Sequence, residues 1–197
     1  GTILWGANGT SACIAAGNQD VPMVVSDGGS GAVFVWQDFR AANWDIYAQH
    51  FLTAGATTWT VNGTVVCSAS GNQTSPVLVA DGTGGAYFTW PDNRGASLDI
   101  YAQRINGAGV TMWANGGTPV CNATSAQSNV QIVTDGTNGA ILTWEDARVS
   151  PSDVYTQHLD GNGTPQWSSN GAQMSFNAFA DNSPIPVADG SGNVIGA

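Results

Sequence analysis

Residues 59–112 read WTVNGTVVCSASGNQTSPVLVADGTGGAYFTWPDNRGASLDIYAQRINGAGVTM. The tryptophan that opens this stretch recurs at a constant interval of 54 residues, at Trp5, Trp59, Trp113 and Trp167. Three further series keep the same interval: Trp36, Trp90 and Trp144; Cys13, Cys67 and Cys121; Asp27, Asp81, Asp135 and Asp189. Because the interval never slips, the chain is a tandem repeat of one unit.

Within each unit, short apolar or alternating runs lie between clusters of Gly, Asn and Asp, which is typical of strands and turns. No stretch keeps the 3.6-residue apolar period of a helix for long enough to form one. Asp-Gly between two apolar runs predicts a hairpin, because these residues tolerate positive φ. Counted around Pro22, we expect four strands, at about 22–27, 31–37, 45–52 and 57–67, the last broken by a bulge or turn at Asn62-Gly63.

An all-β fold of four-stranded units with this period predicts the blades of a β-propeller. A single four-stranded sheet cannot bury both faces, so blades must pack on their neighbours. We treat 1–197 as a single repeat domain, with units 5–58, 59–112 and 113–166 and a partial unit 167–197. Since a ring needs at least about four blades, we expect a partial ring here. Further blades would come from the same longer chain or from neighbouring chains.

Composition limits the possible partners. The net charge is −10, with four arginines and no lysine among 197 residues, which argues against nucleic acid and anionic membrane surfaces as partners. No apolar run approaches the roughly 20 residues of a membrane span, so no membrane insertion is expected. The lack of lysine and the richness in Ser, Thr, Asn and Gly favour an extracellular, secreted or cell-surface protein.

The motif W-x-D-x-R stands at the same place in every complete unit. Asp suits a cap of the turn after the second strand, and Arg suits a bidentate pair with it. A catalytic site needs different groups to converge, whereas this set is copied, so we interpret the motif as structural. Its members are Trp36, Asp38 and Arg40; Trp90, Asp92 and Arg94; Trp144, Asp146 and Arg148.

A second motif, D-I-Y-A-Q, follows, and its alternation places Tyr and Gln on one face of the strand. These side chains could bind sugar in a groove, or they could hydrogen-bond to the next blade. The candidate binding residues are Tyr47, Gln49, Tyr101, Gln103, Tyr155 and Gln157.

Metal and disulfide sites are not expected. Each Asp-Gly turn carries one carboxylate, while a calcium site normally gathers several, so we expect no cofactor, with calcium as the alternative. Equivalent cysteines of different blades lie too far apart for a disulfide and suit small buried apolar positions.

Together, D-G-x-G-G-A, W-x-D-x-R and D-I-Y-A-Q resemble the repeats of bacterial secreted β-propeller proteins, similar to sialidase-type (BNR-like) propellers. The resemblance covers essentially the whole chain and implies a propeller fold and an extracellular place. It does not imply sialidase activity, because the arginines here are mostly the repeated ones and the Asp-box is only partly matched, by Ser26-Asp27-Gly28 and its copies.

From these observations the chain is predicted to be a noncatalytic module for adhesion or for binding glycan or protein, and not an enzyme. The alternatives are a structural subunit that self-assembles with other chains into a ring or fibre, and a sialidase-like glycoside hydrolase. The last would need paired carboxylates outside the copied set. The unrepeated acids show no motif; they are Asp20, Glu145, Asp160 and Asp181.

Overall fold

The computed structural model describes residues 5–174 and 184–193. In these ranges the regular structure is three four-stranded antiparallel sheets. The first blade consists of β1 (Gln19–Ser26), β2 (Ala32–Asp38), β3 (Asp45–Phe51) and β4 (Thr64–Cys67). The second consists of β5 (Val77–Ala80), β6 (Ala86–Asp92), β7 (Asp99–Ile105) and β8 (Thr118–Cys121). The third consists of β9 (Gln127–Thr134), β10 (Ala140–Asp146), β11 (Asp153–Leu159) and β12 (Ala172–Gln173).

Each sheet is a meander in which the strands pair in chain order. The first strands of the three blades, β1, β5 and β9, contact one another in sequence and form the inner side of the partial ring. The predicted all-β propeller architecture is therefore confirmed. In the described residues, no helix is long and apolar enough to cross a membrane.

The fourth strand of the first blade is broken at Asn62-Gly63, as predicted, and only the part after the break is a regular strand. The chain turns at Asn62 and Gly63, both of which have positive φ, and Gly63 donates its N–H to the carbonyl of Thr60. Thr57 keeps only an isolated bridge to Phe51. Because residues in that conformation cannot continue an extended ladder, β4 starts after the turn.

The blades pack face to face through apolar side chains. Val33 and Val35 of β2 share one buried cluster with Phe88 and Trp90 of β6. The opposite face of β6 carries Tyr87 into a second cluster, together with Leu142 and Trp144 of β10. Alternation along each second strand therefore gives a blade one face for the preceding blade and one for the following blade.

The partial ring has two ends of different character. The turns after each first strand, at residues 27–31, 81–85 and 135–139, lie at one end, which we call the Asp-Gly end. The turns after each second strand, which hold W-x-D-x-R, lie at the opposite end, which we call the arginine end. The inner strands begin at the arginine end and run toward the Asp-Gly end.

Candidate functional site at the arginine end of the inner strands

The copied motif builds a closed polar cluster in the second blade. Asp92 has 0% exposure, and its carboxylate accepts the indole N–H of Trp90 at 2.8 Å. The guanidinium of Arg94 donates to both carboxylate oxygens, at 3.0 and 2.6 Å. It also lies 3.7 Å from the ring centroid of Tyr101 and 3.2 Å from Sγ of Cys67. Tyr101 belongs to the same blade, whereas Cys67 ends β4 of the first blade, so the cluster also joins the two blades.

The other blades hold the same cluster, in which Arg40 and Arg148 pair with Asp38 and Asp146. Burial alone would raise the pKa of Asp38, but hydrogen bonds from the arginine and from Trp36 hold it below its ordinary value. Burial raises the pKa of Cys67 to about 11, so the thiol stays protonated. The thiols of Cys67 and Cys121 contact arginines and carboxylates, rather than filling purely apolar space as the sequence suggested.

The glutamines of the second motif lock the blade internally. Gln103 is fully buried; its amide N–H₂ donates to the carbonyl of Ala114, and its Oε1 accepts the backbone N–H of Trp113. Gln49 and Gln157 make the equivalent bonds.

The tyrosines of that motif lie under the arginines: Arg40 over Tyr47, Arg94 over Tyr101 and Arg148 over Tyr155. These contacts account for the repetition of D-I-Y-A-Q without a ligand. Sugar binding by the six Tyr and Gln residues stays a prediction.

The aspartates of the Asp-Gly turns bond to their own turns. Asp81 accepts the N–H groups of Thr83 and Gly85 with Oδ1 and pairs with Arg104 through Oδ2. In the first and third blades a histidine takes the arginine's place, in the pairs Asp27–His50 and Asp135–His158. The described residues contain no group of three or more His, Cys, Asp or Glu side chains that could hold a metal. Absence of a cofactor, with calcium as the alternative, stays a prediction.

Strained backbone marks the arginine end of the inner strands. Val21, Ser75 and Asn129 occupy equivalent positions and have φ of 51°, 49° and 50°. A residue other than glycine in this left-handed region costs about 1–3 kcal/mol, and such residues cluster at functional sites. The backbone conformation is copied, while the side chains differ from blade to blade.

A groove of about 280 Å³ lies between the second and third blades at this end. Ser75 and Asn129 both line it, together with backbone and side chains of the loops beside them. The complete lining is Thr74, Ser75, Val77, Pro91, Leu98, Ser128, Asn129, Val130 and Gln131. The groove therefore presents hydroxyl and amide groups that are not part of the repeat.

Two of the unrepeated acids also lie at the arginine end. Asp20 on β1 is exposed and lies opposite Gln37 of β2. Glu145 on β10 is half-buried and lies opposite Ser128 of β9. Glu145 occupies the position in the third blade that Gln37 occupies in the first. Asp160 lies at the opposite end, where its carboxylate accepts two N–H groups of its own turn. Asp181 lies outside the described residues.

Copied carboxyls with a raised pKa lie at the same end. Burial raises the pKa of Asp45 and Asp99 above the ordinary value. Asp99 follows Leu98, which lines the groove. This shift could not be predicted from sequence, because it depends on burial rather than on residue type.

The described fold is similar to solved propeller structures. The endo-arabinase from Bacteroides thetaiotaomicron matches with a TM-score of 0.54 and 14% identity, over 90% of this chain and 69% of that one. A glycosyl hydrolase from Bacteroides ovatus matches with a TM-score of 0.47 and 8% identity, over 81% and 51%. A thermostable family-43 glycoside hydrolase matches with 0.47 and 13%, over 85% and 57%.

No known protein family's sequence profile matches the chain. No curated protein matches it either. The resemblance seen in the sequence is therefore confirmed for the propeller fold, and the finer likeness to BNR-type repeats is not.

The prediction of a noncatalytic adhesion, binding or structural module is wrong by this comparison, and so is the prediction that the chain is not an enzyme. The similar structure with a TM-score of 0.54 carries the name of an endo-arabinase. The error came from giving most weight to copied residues, since a catalytic group in a repeat fold can stand at a position where the units differ.

Proposed function

We propose that this protein is a glycosidase-like enzyme that cleaves a glycan at the arginine end of the inner strands. The observation that carries the proposal is that strained inner-strand positions, a polar groove and two unrepeated acids all lie at that one end of the blades. Asp20 and Glu145 are the proposed catalytic carboxyls. Ser75 and Asn129 are the proposed contacts to the sugar.

Glycoside hydrolysis requires a carboxylic acid that protonates the leaving oxygen and a carboxylate that stabilises or attacks the anomeric carbon. Both groups must reach the substrate, and the copied aspartates at Asp38, Asp92 and Asp146 have 0% exposure and arginine partners. Asp20 is exposed and Glu145 is half-buried, so both can take this role. Each also differs from its counterparts in the other units.

The substrate we propose is an uncharged polysaccharide. The chain carries a net charge of −10, which repels acidic sugars at long range. The groove, at about 280 Å³, is close to the lower limit of small-ligand sites and fits one sugar unit at a time. The endo-arabinase among the similar structures makes linear arabinan the first substrate to test. A secreted or cell-surface location is part of the proposal, because such polymers lie outside cells.

The test is release of reducing sugar from linear arabinan, xylan and mannan by the protein and by Asp20→Asn and Glu145→Gln. Each substitution should lower kcat by about 100-fold or more, as loss of an acid–base or nucleophilic group does. Asp160→Asn is the matched control, since it removes an unrepeated acid at the other end, and it should keep full activity. Full activity in both Asp20→Asn and Glu145→Gln, or no turnover of any of these glycans by the parent protein, would refute the proposal.

A further inference from the structure

The Asp-Gly turns of successive blades meet at two junctions and part at one. A Cβ built on Gly28 of the first blade would lie 3.8 Å from the Cα of Gly82 in the second. A Cβ on Gly136 of the third blade would lie 3.0 Å from the carbonyl oxygen of Gly190. A Cβ on Gly82 would meet nothing within 4 Å. The turns of the second and third blades are thus separated by open space.

This space is a cleft of about 330 Å³ at the Asp-Gly end. Its walls are the two turns, and its lining includes Asp81, Thr83, Tyr87, Thr134 and Asn138. Tyr87 is 1% exposed, and its hydroxyl has no hydrogen-bond partner among the described residues. Buried hydroxyl groups are normally paired, and an unpaired one costs about 1–3 kcal/mol. The hydroxyl therefore has unused capacity to bind a group that enters the cleft.

The second unit alone supplies this chemistry. The counterparts of Tyr87 are Val33 and Ile141, which carry no polar atom, and the counterparts of Arg104 are His50 and His158. Arg104 donates to Asp81 at 3.0 Å and lies 5.1 Å from the centre of the Tyr87 ring. Tyr87 and Arg104, which both depart from the repeat, thus lie side by side at the open junction between the second and third blades.

The charges in the cleft are compensated. Burial raises the pKa of Tyr87 to about 12, so its hydroxyl stays protonated and can donate or accept a hydrogen bond. Burial opposes ionisation of Asp81, but hydrogen bonds from Thr83, Arg104 and Gly85 keep its pKa below the ordinary value. The resulting carboxylate is neutralised by Arg104. A charged ligand would find no counter-ion here, whereas a ligand rich in hydroxyls would find both donors and acceptors.

We propose that the cleft between the second and third blades is a second binding site, which takes one uncharged sugar unit through the Tyr87 hydroxyl. Thr83 and Asn138 offer further polar contacts from the two walls. The proposal does not rest on the proposed catalytic function, because the cleft lies at the opposite end of the blades from Asp20 and Glu145.

The experiment is titration of the ¹⁵N-labelled protein with L-arabinose, D-xylose and D-mannose, and with a linear arabino-oligosaccharide, followed by NMR. We expect saturable shifts of Thr83, Asn138 and neighbouring amides, and binding about tenfold weaker in Tyr87→Phe, which removes only the hydroxyl. Arg104→His, which installs the residue of the other units, should also weaken binding. Ile141→Val, at the counterpart of Tyr87, is the control and should bind as the parent does. Shifts with the free sugars indicate a monosaccharide site; shifts with the oligosaccharide alone indicate a subsite for a polymer.

Two outcomes would overturn the proposal. The first is that none of these sugars shifts the cleft amides. The second is equal binding by Tyr87→Phe and the parent; a loss of stability in Tyr87→Phe would then mean that an ordered water satisfies the hydroxyl. Both assays are run on both variants. Tyr87→Phe should lose cleft binding and keep hydrolysis, whereas Asp20→Asn should lose hydrolysis and keep cleft binding. Failure of this site is therefore distinguishable from failure of the proposed function.

Discussion

Two regions of the second blade, one around Asp92 and one around Tyr87, lie on the same strand, β6. The Asp92 cluster is copied in all three blades, and its carboxylate is bonded on both oxygens. Tyr87 occurs in one blade, and its hydroxyl has no partner among the described residues. The difference teaches that the copied Asp92 carboxylate is consumed in holding the fold together, while the single Tyr87 hydroxyl keeps bonding capacity for another molecule.

The largest effect should come from the copied cluster. Trp90→Ala removes a ring of 0% exposure and leaves a cavity between blades, so unfolding free energy should fall by about 4 kcal/mol. Val61→Ala, which changes a residue that is 79% exposed, is the control and should change stability little. A Trp90→Ala loss below about 1 kcal/mol in denaturant unfolding would break the comparison.

Asp92→Asn should cost about 2–3 kcal/mol, because Arg94 then loses its ionic partner while it remains largely buried. A turn cap alone would cost only about 1 kcal/mol, so the magnitude distinguishes the cluster from a simple cap. Asp160→Asn in an exposed turn should cost less. The midpoint of chemical unfolding, compared at equal m-value, measures both.

Acid should loosen the copied clusters. Asp38 and Asp146 have folded pKa values below the ordinary value, so each contributes stability above about pH 4 that is lost as the pH falls through the folded pKa. Asp45 and Asp99, with raised values, act in the opposite sense: their contribution is present below about pH 4 and is lost as the pH rises through the folded pKa.

We expect the lowered group to dominate, so that Tm falls as the pH drops below about 4. Asp146→Asn should flatten that fall. An unchanged pH profile in Asp146→Asn would show that the cluster is not the acid-sensitive element.

The smallest effect is expected at Tyr87. Tyr87→Phe keeps the ring in the core and removes a hydroxyl with no protein partner, so stability without ligand should stay within about 0.5 kcal/mol of the parent or rise slightly. The same experiment sharpens the comparison, because Asp92→Asn removes a carboxylate charge from β6 and Tyr87→Phe removes a hydroxyl from the same strand. Equal destabilisation by both would remove the distinction between copied and single residues.

The sequence was sufficient for the architecture because turn residues and apolar runs recur in register, and a fixed period requires equivalent blades. The break before β4 was predictable from the turn pair Asn62-Gly63, and both residues adopt positive φ there. The arginine contacts of Cys67 were not visible, since they join residues 27 apart through tertiary packing.

The candidate sites were only partly accessible from sequence. Asp20 and Glu145 stood out as unrepeated acids. That both lie at the same end of the blades follows only from the strand directions in the folded protein. Tyr87 and Arg104 could have been found by comparing the units at equivalent positions. The opening of the cleft could not, because it depends on how Gly82 and Gly136 are spaced between blades.

The most direct test of the central claim measures turnover of arabinan per folded molecule in Asp20→Asn and Asp92→Asn beside the parent. The account predicts that Asp20→Asn keeps the parent's Tm and loses about 100-fold or more in kcat. It predicts that Asp92→Asn loses stability while its folded fraction keeps most of the parent's kcat. Full turnover in Asp20→Asn, with activity abolished in well-folded Asp92→Asn, would contradict the assignment of structure to the copied residues and chemistry to the single ones.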